Sequence, residues 1–180
     1  MEEENIEEVF FFSRDGKVMK EAFELLSPCY GTRPVKTHYL YVSRRALQVA
    51  RITRLDSLAL LYLSSSMSDL PVGEYLARIG MDPIPHEPAM RAYGLTGKDH
   101  IISTPEDRQR LRSFLKHIEP AIIAHAAAER EHAIGYYQQQ GIGATSRRQA
   151  VVDIGWGAML PYALAEIMGI PPERLPGFFL

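Results

Sequence analysis

Apolar positions in this chain follow two rhythms. Val9-Phe10-Phe11-Phe12-Ser13, His38-Tyr39-Leu40-Tyr41-Val42 and Ala150-Val151-Val152-Asp153-Ile154 are short apolar runs without helical spacing. Such runs read as strands, and the unbroken Phe10-Phe11-Phe12 suits a strand covered on both faces, as in a parallel sheet. Each ends on polar or turn-forming residues: Arg14-Asp15-Gly16-Lys17, Ser43-Arg44-Arg45 and Gly155-Trp156-Gly157. The rhythm then turns helical, with Val18, Met19, Ala22, Phe23 and Leu26 on one face after the first run, and Pro161 to Met168 after the third.

Between the second and third runs the chain reads as helix from Arg44 to about Gln140. Ala46–Ile52, Leu55–Leu63 and Pro71–Gly80 are apolar helical segments, and Asp82–Gly97, rich in Pro and Gly, reads as an irregular connection. Thr104-Pro105-Glu106-Asp107 is a helix start: threonine caps, proline fits the first turn, and the acids face the positive end of the dipole. A long helix from Glu119 stops at Gly141-Ile142-Gly143. The pattern predicts one α/β domain over 1–180, a Rossmann-like parallel sheet with a large helical insertion at 44–140 between the second and third strands. Gly177-Phe178-Phe179-Leu180 reads as the start of a further apolar strand, and so apolar an ending is expected of a piece of a longer protein.

Composition changes this picture little. With 180 residues, 46% hydrophobic and 23% charged, the chain has ordinary globular proportions and enough length to bury a core without disulfides. A net charge of −2 lacks the basic excess of a nucleic-acid-binding surface. No apolar run approaches the ~20 residues of a membrane-spanning helix. The single cysteine, Cys29, excludes an intrachain disulfide, reads as a small buried apolar residue, and suits a reducing compartment, so the expected location is the cytoplasm. Of the 20 basic residues 15 are arginine, a bias that favours two-pronged recognition of phosphate or carboxylate and that a GC-rich genome would also produce.

Ligands of open α/β sheets bind outside the carboxyl ends of the strands. Those ends supply Arg14, Asp15, Gly16, Lys17, Ser43, Arg44, Arg45, Asp153, Gly155, Trp156 and Gly157. Arg14 and Arg44 offer forks for phosphate, Lys17, Arg45 and Ser43 further donors, and the glycines free backbone N–H groups at helix starts. Asp15 and Asp153 are the candidate catalytic acids, and could share a magnesium ion, which takes one or two carboxylates besides water and substrate phosphate. Trp156 offers a face for a base or sugar ring. The bland reading makes Asp15 a helix cap, the glycines turn residues and Trp156 core; three such strand ends together favour a site.

Other motifs carry less. His125, Glu129 and His132 share one helix face with metal-ligand spacing, but without a second copy they read as a solvated face. Gly141-Ile142-Gly143-Ala144 precedes a strand instead of following one, so it is no dinucleotide fingerprint. Arg147 and Arg148 fall at the amino end of the third strand and read as solvated rim charges.

Phe11-Phe12-Ser13-Arg14-Asp15-Gly16, Tyr41-Val42-Ser43-Arg44-Arg45-Ala46 and Val152-Asp153-Ile154-Gly155-Trp156 are three motifs in order. They resemble a region downstream of the phosphatase domain in haloacid dehalogenase (HAD)-superfamily predicted hydrolases of bacterial surface-polysaccharide biosynthesis loci. The resemblance spans most of the chain. The family pattern continues after the tryptophan with one residue, then Gly, Ser or Thr, and soon Gln. Here Gly157-Ala158-Met159-Leu160-Pro161 lacks that hydroxyl and amide, which weakens the case for a phosphate grip at this turn.

The phosphatase domain itself carries Asp-x-Asp-Gly after its first strand, with the first Asp as nucleophile. Ser13-Arg14-Asp15-Gly16 puts serine there, Ser43 matches the second-strand hydroxyl, and Asp153 matches an acidic metal ligand. Without the nucleophile no phosphoaspartate can form, so a chain of that fold would be a degenerate one. Phosphoribosyltransferases compare less well, since this chain has one acid and no threonine at their third-strand loop. Together the residues and the resemblance imply binding of a phosphorylated sugar or nucleotide in polysaccharide biosynthesis, with HAD-like hydrolase or phosphate-dependent transferase chemistry if the chain is active. The rival is a non-catalytic interaction module whose helical insertion contacts a partner domain in a longer chain.

Overall fold

The computed structural model describes residues 5–31, 33–144, 146–154 and 159–179. The chain begins with strand β1 (Glu8–Phe12), helix α1 (Gly16–Leu26), strand β2 (Lys36–Leu40) and helix α2 (Arg44–Ala50). Next come α3 (Ser57–Ser64), β3 (Leu70–Pro71), α4 (Val72–Ala77), α5 (Glu87–Ala92), β4 (Ile101–Ile102), α6 (Pro105–His117) and α7 (Glu119–Gln139). Strand β5 (Gln149–Asp153), helix α8 (Met159–Met168) and strand β6 (Gly177–Phe179) complete it.

The chain is α/β. Four strands form one parallel sheet in the order β2-β1-β5-β6, with Phe10 beside His38 on one side and beside Val151 on the other. The central strands β1 and β5 are buried along their whole length, which is why their sequences are unbroken apolar runs instead of alternating ones. Val9, Phe11, Ala150 and Val152 pack with Met19 and Phe23 of α1, leaving Phe10 and Phe12 to the opposite face. Edge strand β2 is only partly covered.

β2 starts two residues before the expected His38 and leaves the ladder after Leu40. The Ser13 hydroxyl is the physical reason. It donates to the Val42 carbonyl at 2.8 Å and accepts from the Val42 N–H at 2.9 Å, so both backbone groups of Val42 are taken by a side chain.

The chain divides into two compact units, Met1–Leu47 with Arg130–Leu180, and Gln48–Glu129. The first holds the parallel sheet. The second, inside the stretch expected as an insertion, has its own core built on Leu76, Met90, Ile102, Leu111, Phe114 and Ile122. It is not purely helical, because β3 and β4 pair antiparallel through Leu70 and Ile102. Nor is Asp82–Gly97 wholly irregular: a 3₁₀ turn at Ile84–His86 leads into α5, with a proline in its first turn where no N–H is needed. Cys29 is exposed, not buried, since it lies in the 3₁₀ turn Ser27–Tyr30 after α1. Among the described residues no helix is long and apolar enough to cross a membrane.

Candidate functional site

A parallel sheet of order β2-β1-β5-β6 has a reversal point. From β1 the chain moves outward to β2, then crosses to β5 and β6 on the other side, so the connections at the carboxyl ends of β1 and β5 part in opposite directions. A cleft of about 1010 Å³ lies at these ends, lined by Phe12–Asp15 after β1, Tyr41–Arg44 after β2, and Asp153 and Ile154 at the end of β5. Ala46 of α2, Ala133, Tyr136 and Tyr137 of α7, and Leu160 of α8 complete its lining.

Five of the residues expected from sequence meet here: Arg14, Asp15, Ser43, Arg44 and Asp153. Arg14 and Arg44 are exposed, and neither guanidinium makes an ion pair or hydrogen bond among the described residues. Asp15 precedes α1 but makes no side-chain cap hydrogen bond, so its carboxylate is not spent on the helix. Ser43 does cap: its oxygen accepts from the Ala46 N–H at 3.0 Å, leaving the hydroxyl proton to donate. Asp153 is buried, at 8% exposure.

The other expected residues divide. Gly16 is buried and not part of the lining; a Cβ there would meet the Phe11 carbonyl carbon at 2.8 Å, so the glycine lets the start of α1 lie against the backbone of β1. That packing, not a ligand, accounts for it. Lys17 and Arg45 are exposed residues of α1 and α2 outside the lining. Gly155, Trp156 and Gly157 lie outside the described residues.

The tyrosines of α7 were not singled out from sequence. The Tyr41 N–H donates to the Tyr136 hydroxyl oxygen at 3.0 Å, which ties α7 to the chain leaving β2. Tyr137 is buried, and its hydroxyl makes no hydrogen bond among the described residues. Burial, then the neighbouring Tyr136, raises the pKa of the Tyr137 phenol well above its usual range, so it stays protonated. The adjacent pair Tyr136-Tyr137 near the end of a long helix was the only available signal, and nothing local says which helix face returns to the sheet.

A larger hollow of about 1260 Å³ lies at the amino ends of the strands, by Ile6, Arg147 and Gln149. We place the candidate site in the smaller cleft, because it gathers the strand-end residues expected from sequence, whereas Arg147 and Gln149 beside the larger one are engaged with Glu8. Glu8, 5% exposed, takes hydrogen bonds from Arg147 and from Gln149 (3.0 Å), with Lys36 and His38 each at 3.7 Å. Gln149 also donates to the Gly141 carbonyl at 2.6 Å and accepts from the Gly143 N–H at 2.8 Å. Arg147 is therefore no idle rim charge but the partner of a buried carboxylate. Burial pushes the Glu8 carboxyl up, but the bonds from Gln149 and Arg147 and the charges of Arg147 and His38 outweigh it and hold it below its ordinary value.

The face formed by His125, Glu129 and His132 is not wholly solvated. The His125 Nε2 lies 2.8 Å from the Ile79 carbonyl and 3.7 Å from Glu129, and no group of three metal-ligating side chains occurs among the described residues. No family model matches the chain, and no curated protein matches it.

Proposed function

We propose that the cleft at the carboxyl ends of β1, β2 and β5 binds a phosphorylated small molecule, a sugar phosphate or a nucleotide. The observation that carries this reading is the pair of arginines, Arg14 and Arg44, lining the cleft with no anionic partner among the described residues. Two guanidinium forks held by strand ends suit the oxygens of one phosphate. The polysaccharide-biosynthesis context rests on the resemblance alone. Asp15 and Asp153 meet the minimum that magnesium takes from protein when substrate phosphate supplies further oxygens. On this reading they would hold the ion, which would neutralise phosphate charge.

Hydrolase chemistry through a phosphoaspartate does not fit, because the nucleophile position is Ser13 and its hydroxyl is engaged with both backbone groups of Val42. The reading is therefore of a binding cleft first, with any transferase step left to the ligand's own leaving group. The exposed single cysteine goes with work in a reducing compartment, the cytoplasm. A second reading, an interaction module, draws on the apolar residues Val18, Leu25, Leu26 and Tyr30 exposed on α1 and the turn after it. It leaves the arginine-lined cleft unexplained.

Calorimetric titration with inorganic phosphate, a sugar phosphate and a nucleotide, with and without magnesium, is the test. Arg14→Ala and Arg44→Ala are each expected to weaken binding by about 1.5 kcal/mol, the low end for a charge-assisted hydrogen bond because both side chains are exposed. Asp153→Asn is expected to remove any magnesium dependence. Unchanged binding in both arginine variants would return these residues to surface charges.

A further inference from the structure

We propose that β2 is the contact edge of a symmetric dimer. It pairs antiparallel with β2 of a second copy of this chain about a two-fold axis at His38, and the α1 helices of the copies lie side by side across the same axis.

Alternation along β2 leaves an open ladder. The Lys36 N–H donates to the Glu7 carbonyl and the Leu40 carbonyl accepts from the Ser13 N–H, each at 2.9 Å, so Lys36, His38 and Leu40 turn their backbone groups towards β1. Thr37, Tyr39 and Tyr41 turn theirs to the outer side, where β2 has no neighbouring strand among the described residues. The Tyr41 N–H is taken by the Tyr136 hydroxyl. Thr37 and Tyr39 remain, placed symmetrically about His38.

In an antiparallel ladder a hydrogen-bonded pair exchanges both backbone bonds. Setting Thr37 opposite the partner's Tyr39 satisfies every outward group of these residues, and the two-fold axis generates the second such pair from the first. Each pair puts a β-branched residue beside an aromatic one, a favourable combination, and Lys36 falls opposite the partner's Leu40. His38 meets its own copy. Burial first, then the charge of Lys36, holds its pKa below the ordinary value, so uncharged rings face each other at neutral pH.

Helix α1 points to a second copy over any other strand. Lys17, Lys20, Glu21 and Glu24 have the i, i+3, i+4, i+7 spacing of one helix face. Glu24 accepts a hydrogen bond from the Thr37 hydroxyl, so that face lies on the β2 side. The lysines come first and the glutamates last, which makes one half of the face positive and the other negative. An axis that makes the strands antiparallel makes the helices antiparallel too, and sets the positive half of each against the negative half of the other. Helix α1 rests on β1 through Met19 and Phe23 and reaches β2 through Glu24. On a joined sheet the two helices would stand about two strand spacings apart, roughly 10 Å, the packing distance of helices. Lys20 and Glu24 pair within the helix at 2.8 Å, whereas Lys17 and Glu21 are exposed and make no ion pair among the described residues.

Sedimentation equilibrium of the full chain over a range of concentrations is the test, and a monomer–dimer equilibrium is expected. Thr37→Lys with Tyr39→Lys sets lysine opposite lysine, and is expected to raise the dimer dissociation constant by about tenfold or more. Thr37→Lys with Tyr39→Glu sets opposite charges in the same register, and is expected to restore dimerisation. Lys17→Glu, on the exposed face of α1, is expected to weaken the dimer about threefold at low salt and less at high salt.

A monomer at every concentration overturns the proposal. So does a dimer that neither the double-lysine variant nor Lys17→Glu weakens, because it then forms through another surface. A lysine–glutamate variant that folds but dimerises no better than the double-lysine one overturns the register. If circular dichroism shows the strand variants unfolded, Lys17→Glu decides alone, and an unchanged dissociation constant at low salt overturns the proposal.

Discussion

Gly16 shows how one residue can be read correctly in place and wrongly in purpose. In sequence it belongs to a strand–turn–helix unit of the kind that cradles phosphate. In the structure a methyl at that position would stand 2.8 Å from the carbonyl carbon of Phe11 and 3.1 Å from its Cβ, closer than such atoms pack. The obstacle is backbone of a central strand, bonded to β2 and β5 on either side, so it cannot give way. Alanine favours helix over glycine by at most ~1 kcal/mol in a helix interior and less at a first residue. Overpacking costs about 1–3 kcal/mol, so Gly16→Ala is expected to destabilise the protein, read as a lower denaturant midpoint at unchanged slope. An equal or higher midpoint would mean that α1 can slide off β1. Ser13 makes the same point: it was compared with a nucleophile, and it closes the ends of two strands.

At the scale of elements, what was legible is what local sequence dictates. The helix start at Thr104 is an example, because capping is decided within four residues. Thr104 accepts from the Asp107 N–H at 3.1 Å and Asp107 accepts from the Thr104 N–H at 3.2 Å, a complete capping box with Pro105 in the first turn. Thr104→Ala is expected to cost about 1 kcal/mol in chemical denaturation. The same variant should also flatten the acid limb of the stability curve. The Asp107 carboxyl is held well below its usual range by the hydrogen bond from Thr104 first and His100 second, so its stabilisation is present above the ordinary aspartate pKa and lost as pH falls through the lowered one. The doubly buried β1 and β5 were legible for a similar reason: five successive buried positions leave no room for polar alternation. The pairing of β3 with β4 was not, since two-residue strands that meet across some thirty positions carry no period.

For the whole molecule, the candidate site was half legible. Parallel strands put their carboxyl ends on one edge, so the order of motifs alone brought Arg14, Arg44 and Asp153 together. Tyr136 and Tyr137 were not foreseen, because their place depends on which face of α7 returns to the sheet. The buried Glu8 cluster lies beyond local reading altogether: its closest partners, Arg147 and Gln149, stand 139 and 141 positions away. It joins β1, β2, β5 and the Gly141–Gly143 turn, where φ is +87° and +84° at the two glycines, and it can be tested by pH. Because the Glu8 pKa is lowered on folding from an ordinary value of 4.5, its contribution is fully present above that value and is lost as the pH falls through the lowered one. Wild-type stability, measured by chemical denaturation from pH 6 downward, is expected to fall over this acid range. Glu8→Gln, which can still bond Gln149 but cannot ionise, should begin lower at pH 6 and fall less steeply. The slope that persists in the variant belongs to the other carboxylates with lowered pKa, Glu24, Asp56 and Asp107. Parallel curves for the two proteins would mean that Glu8 is protonated at the amino edge of the sheet, and that Arg147 stands beside it without pairing.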